Sequence, residues 1–89
     1  MPARFRVLLT PSFRRDLESL PAQAQRRVLA AIAALEANPL GPSARVKKLK
    51  GKGIGQWRLV VWPYRVRYDI MGRDVVLYRV RHRSEIYRD

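Results

Sequence analysis

The chain reads as two halves with different hydrophobic periods. Arg4–Leu9 is a short run rich in apolar residues (Phe5, Val7, Leu8, Leu9) and closed by Thr10-Pro11, which predicts a first strand. Thr10 suits a helix N-cap and Pro11 the first helical position, where a missing N–H is harmless. Phe13, Leu17 and Leu20 then recur at i, i+4 and i+7, one face of a helix that Pro21 ends. Val28, Leu29, Ile32 and Leu35, backed by Ala30, Ala31, Ala33 and Ala34, predict the stripe of a second helix, stopped by Asn38-Pro39 and Gly41-Pro42. The two make a helical hairpin with a very short turn.

Past residue 45 the period shortens to two. Val46–Lys50 reads as a short basic edge strand, followed by the glycine turn Gly51-Lys52-Gly53-Ile54-Gly55. Gln56–Trp62 is rich in β-formers, Pro63 interrupts, and Tyr64–Ile70 resumes the alternation. Gly72-Arg73 suits a two-residue hairpin loop with glycine first; Asp74–Val80 is the next strand and Arg83–Tyr87 a tail. On a strand, alternate side chains face opposite ways. Trp57, Leu59 and Val61 oppose Arg58, Val60 and Trp62, while Tyr64, Val66, Tyr68 and Ile70 oppose Arg65, Arg67, Asp69 and Met71. In the next strand Val76, Tyr78 and Val80 oppose Leu77, Arg79 and, if the strand continues, Arg81 and Arg83. Two helices can cover only one face of such a sheet, and the apolar sets should be the covered ones. The class is α+β, in a single domain over residues 1–89.

Charge gives the open face a meaning. The 89 residues carry 19 Lys and Arg against 7 Asp and Glu, a net +12. The excess is lopsided: six basic and three acidic residues in 1–44, thirteen and four in 45–89. Such a balance points to a polyanionic partner, nucleic acid first. On the open face it collects Arg58, Arg65, Arg67, Arg79, Arg81 and Arg83, with Trp62 available for stacking on a base. A single arginine there would be an ordinary solvated residue; six from successive strands repel one another unless an anion joins them. Lys47, Lys48, Lys50 and Lys52 extend the basic surface. With no Cys and one His, neither a disulfide, a thiol nucleophile nor a zinc site is expected, and no cofactor is called for. No apolar run approaches the roughly twenty residues of a membrane span, and the N-terminal stretch is too short for a signal peptide, so a cytoplasmic protein without membrane contact is expected.

The glycine turn is not a nucleotide-binding loop, the serines have no triad, and Asp69, Asp74 and Glu85 have no evident partners for paired-carboxylate chemistry. The chemistry these residues allow is metal-free cleavage of RNA, in which a 2′-hydroxyl attacks the adjacent phosphate. Arginine forks would stabilise the transition state. Tyr87 is a candidate base if surrounding cations favour its phenolate. His82 is a possible acid or base, although its parity places it on the covered face.

The segments Lys48-Leu49-Lys50-Gly51, Trp57-Arg58-Leu59, Tyr64-Arg65-Val66-Arg67-Tyr68 and Val80-Arg81-His82-Arg83-Ser84-Glu85-Ile86-Tyr87, in this order and spacing, resemble the RelE/ParE toxin superfamily, most closely its RelE branch. The resemblance spans nearly the whole chain. It implies an N-terminal strand and a two-helix hairpin on one face of a twisted, mainly antiparallel sheet of four or five strands. It also implies the toxin of a type II toxin–antitoxin pair, a metal-independent ribosome-dependent endoribonuclease cutting mRNA in the A site, with a cognate antitoxin and the ribosome as partners. On this resemblance Arg65 contacts the phosphate, Arg83 stabilises the transition state or protonates the leaving group, and Tyr87 stacks or acts as base. Arg58 stands where the RelE pattern has a lysine, and Val60 where it has a second one, leaving open which cation assists proton removal. Lys48 and Lys50 fall in a stretch suited to ribosomal RNA. The resemblance also admits a ParE-like toxin of the same fold that inhibits DNA gyrase by binding, and the basic composition alone admits a non-catalytic nucleic-acid-binding module.

Overall fold

A computed structural model of the chain describes residues 4–40, 46–49, 53 and 55–86. The elements run β1 (Arg6–Leu9), α1 (Pro11–Glu18), α2 (Ala22–Leu35), β2 (Val46–Lys48), β3 (Trp57–Val61), β4 (Tyr64–Met71), β5 (Asp74–His82) and α3 (Arg83–Ile86). The five strands form one sheet in the order β1-β5-β4-β3-β2. All neighbours are antiparallel except β1, which lies parallel to β5 because the helical hairpin carries the chain back between them.

Local chemistry starts and stops each helix. Thr10 Oγ1 accepts the Phe13 N–H at 3.2 Å and caps α1, with Pro11 next. Gln25, from α2, turns its amide back to donate to the Leu20 carbonyl at 2.8 Å and closes the joint between the helices. The core lies between the hairpin and one sheet face. Phe13 of α1 and Val28, Ile32 and Leu35 of α2 meet Leu59, Val61, Val66, Tyr68, Val75, Leu77 and Val80, all buried. Leu29, expected in the α2 stripe, is instead 46% exposed; Ala24 takes its place, giving inward positions at 24, 28, 32 and 35 that follow the helical period better.

The elements agree with the sequence pattern except at their ends, and α3 forms where a tail was expected. Gly72, with φ +60° and no left-handed residue after it, opens the two-residue loop joining β4 to β5. The notable departure is in β5. Arg67 pairs with Arg79 but the next residue, Tyr68, pairs with Leu77, so Tyr78 is an extra residue, a β-bulge. The expectation that Val76 and Tyr78 share the covered face with Val80 is therefore corrected. Val75 and Leu77 point into the core before the bulge, Val80 after it, and Val76 and Tyr78 lie on the open side.

Tyr68 ties the sheet to the loop after α2. Its hydroxyl donates to the Pro39 carbonyl at 2.6 Å, and burial pushes its pKa up to about 12. Ionisation in the unfolded chain near pH 10 then draws protons off the unfolded state first, so this contribution is complete below pH 10 and lost as pH rises through about 12. Tyr68→Phe should lower stability by about 1–2 kcal/mol in denaturant titrations at neutral pH. Between pH 10 and 12 its stability should fall less steeply than that of the wild type; parallel pH profiles would contradict this account.

Candidate functional site

The open face is built on two cross-strand rows. Lys47, Arg58, Arg67 and Arg79 stand opposite one another across β2, β3, β4 and β5; Val60, Arg65 and Arg81 form the next row across β3, β4 and β5. Direct opposition of like charges is modestly unfavourable in a sheet, and an internal counter-charge or an outside anion relieves it.

The first row is largely answered from within. Arg67 Nε donates to the Gly55 carbonyl at 2.6 Å. Asp69 accepts from the N–H groups of Gly55 and Gln56 at 2.8 and 2.7 Å, so the two side chains clamp the base of the glycine turn. Gly55 is required here: its φ is +72°, and a Cβ would meet Arg67 Cβ at 3.3 Å. Tyr78 lies against the same turn, held above the ordinary phenol range by burial first, then by the charge of Asp69 and a hydrogen bond to it. It is a protonated donor rather than a base. Arg79 pairs with Asp16 of α1 at 2.7 and 3.1 Å. Assigned to RNA on sequence grounds, Arg79 is thus engaged with the helix. Arg58 differs, because its partly buried Nε has no hydrogen-bond partner among the described residues.

In the second row Arg65 and Arg81 face each other directly. Trp62, 58% exposed in the β3–β4 turn, brings a further cation to them. The Arg65 guanidinium lies 5.9 Å from its ring centre and that of Arg83 5.0 Å, so one indole supports arginines from β4 and α3 together. Arg65, Arg81, Arg83 and Trp62 thus meet at one end of the open face, with Arg58 in the neighbouring row. The alternation of β3 and β4 had indicated the outward facing of Arg58 and Arg65, whereas Arg83, expected there only on a continued strand, stands on α3 instead.

Other candidates lie elsewhere. Lys47 joins the open face beside Arg58, but Lys48 pairs with Trp57 and its ammonium sits 5.9 Å from that ring, on the helix-facing side. Grouping it with Lys47 on one RNA surface is corrected by this register. His82 is on the covered side as its parity indicated, edge-on to Tyr64 at 5.6 Å. Its Nδ1 accepts the Ser84 N–H at 3.1 Å, so the imidazole caps α3. Lys50, Lys52 and Tyr87 lie outside the described residues. Among the described residues there is no group of three His, Cys, Asp or Glu side chains that could hold a metal ion, and no helix is long and apolar enough to cross a membrane. A cavity of about 500 Å³ between α2 and the end of β3, lined by Arg27, Ala34, Val61 and Trp62 among others, lies on the helix side and offers no acid–base pair.

Nothing in the sequence singles out Asp16, and Asp69 stands there only as an acid without an evident partner; the contacts of both become visible in the structure. The available signal was the doubled phase of β5, where Val75 and Leu77 and then Val80 cannot all face one way without a bulge.

The geometry has counterparts among known proteins. No curated protein sequence matches the chain. Among solved structures, it is similar to the RelBE2 toxin–antitoxin complex of Mycobacterium tuberculosis, at 30% identity and a TM-score of 0.76 over 89% of this chain and 98% of that one. It is also similar to the RelB–RelE antitoxin–toxin complex of Methanococcus jannaschii, at 28% identity and TM-score 0.74 over 90% of this chain and 94% of that one. The archaeal RelE–RelB complex of Pyrococcus horikoshii OT3 matches at 28% identity and TM-score 0.73, with 89% and 94% covered. Residues 7–87 match the family described as ParE toxin of type II toxin–antitoxin system, parDE. The arginine-faced sheet under a helical hairpin is therefore that of a type II toxin, and the chain belongs to the RelE/ParE superfamily.

Proposed function

We propose that this toxin is an endoribonuclease that cuts mRNA in the ribosomal A site by 2′-hydroxyl attack. The observation that carries the reading is the direct opposition of Arg65 and Arg81, flanked by Arg58 on β3 and by Arg83 on the Trp62 ring. Two planar forks side by side match the non-bridging oxygens of one phosphodiester. In the reaction the 2′-oxygen loses its proton and bonds to phosphorus, the bond to the 5′-oxygen breaks, and that oxygen leaves with a proton. The products are a 2′,3′-cyclic phosphate and a 5′-hydroxyl end. Charge develops on the phosphoryl oxygens, where Arg65 and Arg81 act; Arg58, beside them in the neighbouring row, favours the ionised 2′-oxygen. Tyr87, at the end of the tail that Arg83 begins, is assigned the role of base on the strength of the sequence resemblance. Lys47, Lys50 and Lys52 are assigned to ribosomal RNA, and the ribosome supplies the proton-transfer groups this sparse site lacks. The reaction takes place in the cytoplasm.

The structural relatives are complexes with antitoxins, and the same partnership is proposed here. An antitoxin segment rich in carboxylates would neutralise the open-face arginines and close them to RNA. The parDE description of the matched family favours a second reading, inhibition of DNA gyrase by binding.

Purified toxin added to programmed ribosomes should cleave the message and leave free transcript almost intact. Arg65→Ala or Arg81→Ala should each reduce the rate by about 100- to 1,000-fold, and Tyr87→Phe by at least about tenfold. Supercoiling by gyrase should be unaffected at the same concentrations. Inhibited supercoiling with uncut message would replace the nuclease by the gyrase reading.

The anion preference of the face can be measured without a ribosome. At equal ionic strength, sulfate should raise the melting temperature more than chloride, since a doubly charged oxyanion can bridge opposed guanidinium groups. Arg65→Gln should remove most of the difference, and an undiminished difference in that variant would locate the anion elsewhere.

A further inference from the structure

We infer that Asp16, on helix α1, is the positioning residue of the arginine site: it fixes the bulge in β5 and so holds Arg81 opposite Arg65. The inference rests on the nuclease reading of the open face and adds to it a residue remote from the phosphate.

The contacts are specific to the bulge. Asp16 Oδ2 accepts from the Val80 backbone N–H at 3.1 Å and from Arg79 Nε at 2.7 Å, and Oδ1 accepts from Arg79 Nη2 at 3.1 Å. Both carboxylate oxygens are thus engaged with the two residues that follow the extra Tyr78. The other end of α1 holds the residues before it. Thr10 N–H donates to the Leu77 carbonyl at 3.2 Å, and Thr10 Oγ1 donates to the same oxygen at 2.8 Å. One helix therefore grips the strand on both sides of the irregularity.

The strand needs that grip. β1 pairs with β5 only as far as Leu9 opposite Leu77, so the Val80 N–H, beyond the end of that pairing, finds its acceptor in the helix. A carboxylate is a stronger acceptor than the carbonyl it replaces. The bulge in turn decides which way the rest of β5 faces. With regular alternation from Val75 and Leu77, residues 79 and 81 would point into the core and Val80 and His82 outward; with it, Val80 is buried and Arg81 stands across from Arg65. Asp16 touches no reacting atom and transfers no proton. Its influence passes through the backbone of Val80 to its neighbour Arg81.

The test is single-turnover cleavage on programmed ribosomes, well below each variant's melting temperature, with toxin concentration varied to separate the rate constant from half-saturation. Asp16→Asn should lower the rate constant on the order of 100-fold, the effect of misplacing a group by about an ångström, while half-saturation stays within about threefold. Exchange of the Val80 amide with solvent should accelerate in the same variant. In an Arg81→Ala background, Asp16→Asn should add less than about threefold, because its target is gone. A wild-type rate constant for Asp16→Asn, or a full multiplicative loss on top of Arg81→Ala, overturns the inference. Should Asp16→Asn fail to fold, Arg79→Gln keeps the Val80 bond and removes only the ion pair. Its loss should be smaller and likewise absorbed by Arg81→Ala; full additivity overturns the inference equally. If Arg65→Ala and Arg81→Ala both cleave at the wild-type rate, the nuclease reading itself falls and this role with it. Crippled arginine variants beside a fully active Asp16→Asn remove the positioning role alone.

Discussion

Strand β5 must bury two sets of apolar residues that are out of phase. Val75 and Leu77 belong to one alternation and Val80 to the other, with Tyr78 and Arg79 between them. A strand without irregularity could bury one set only by driving the other, or an arginine, to the wrong face. The extra residue at Tyr78 resolves the conflict, and the contribution of β5 to the open face follows from it. Past the bulge, Arg79 continues the row of Arg58 and Arg67, and Arg81 meets Arg65. A folding requirement of the core and the geometry of the candidate site are therefore one constraint.

Three of the seven acidic residues are spent on framework. Asp16 holds Arg79 and the Val80 amide, Asp69 holds the amides of Gly55 and Gln56, and Asp74 pairs with Arg6 at 3.0 Å. None of these contacts goes to Arg58 or Arg81. Asp69 is the instructive case, since it shares the open face with the arginine rows yet turns to the backbone of the glycine turn. Positive charge is thereby retained at the end of the sheet where Trp62, Arg65 and Arg83 converge, and neutralised where it would only strain the fold.

The element order, the Gly72 hairpin, the helix-capping Thr10 and the outward facing of Arg58, Arg65 and Arg67 were legible in the sequence, because β3 and β4 keep a clean period of two and Thr10-Pro11 has few alternative uses. So was the inward parity of His82, although its service as a cap for α3 was not. What escaped depends on contacts distant in sequence. Asp16 and Val80 are 64 residues apart, and nothing local marks Asp16 as different from Glu18. Alternation alone separates Lys47 from Lys48, but which of the two joins the open face depends on a register that three residues of β2 do not announce. Asp69 was visible as an odd acid in a basic strand, but its targets are backbone amides, which no side-chain pattern reveals.

The sheet tolerates its rows of like charge because of what lies behind them. Val66 and Val80, opposite one another, are 0% and 2% exposed, and they are framed by the pairs Arg65–Arg81 and Arg67–Arg79. Burying two valines stabilises the fold by about 3–6 kcal/mol. Two opposed like-charge pairs at a partly hydrated surface cost about 0.4–2 kcal/mol together, and Asp16 and the Gly55 carbonyl relieve one of them. Core packing therefore wins and fixes the arginine backbones on rigid strands, leaving the repulsion as a modest residual. An oxyanion lodged between Arg65 and Arg81 would recover that residual as binding energy.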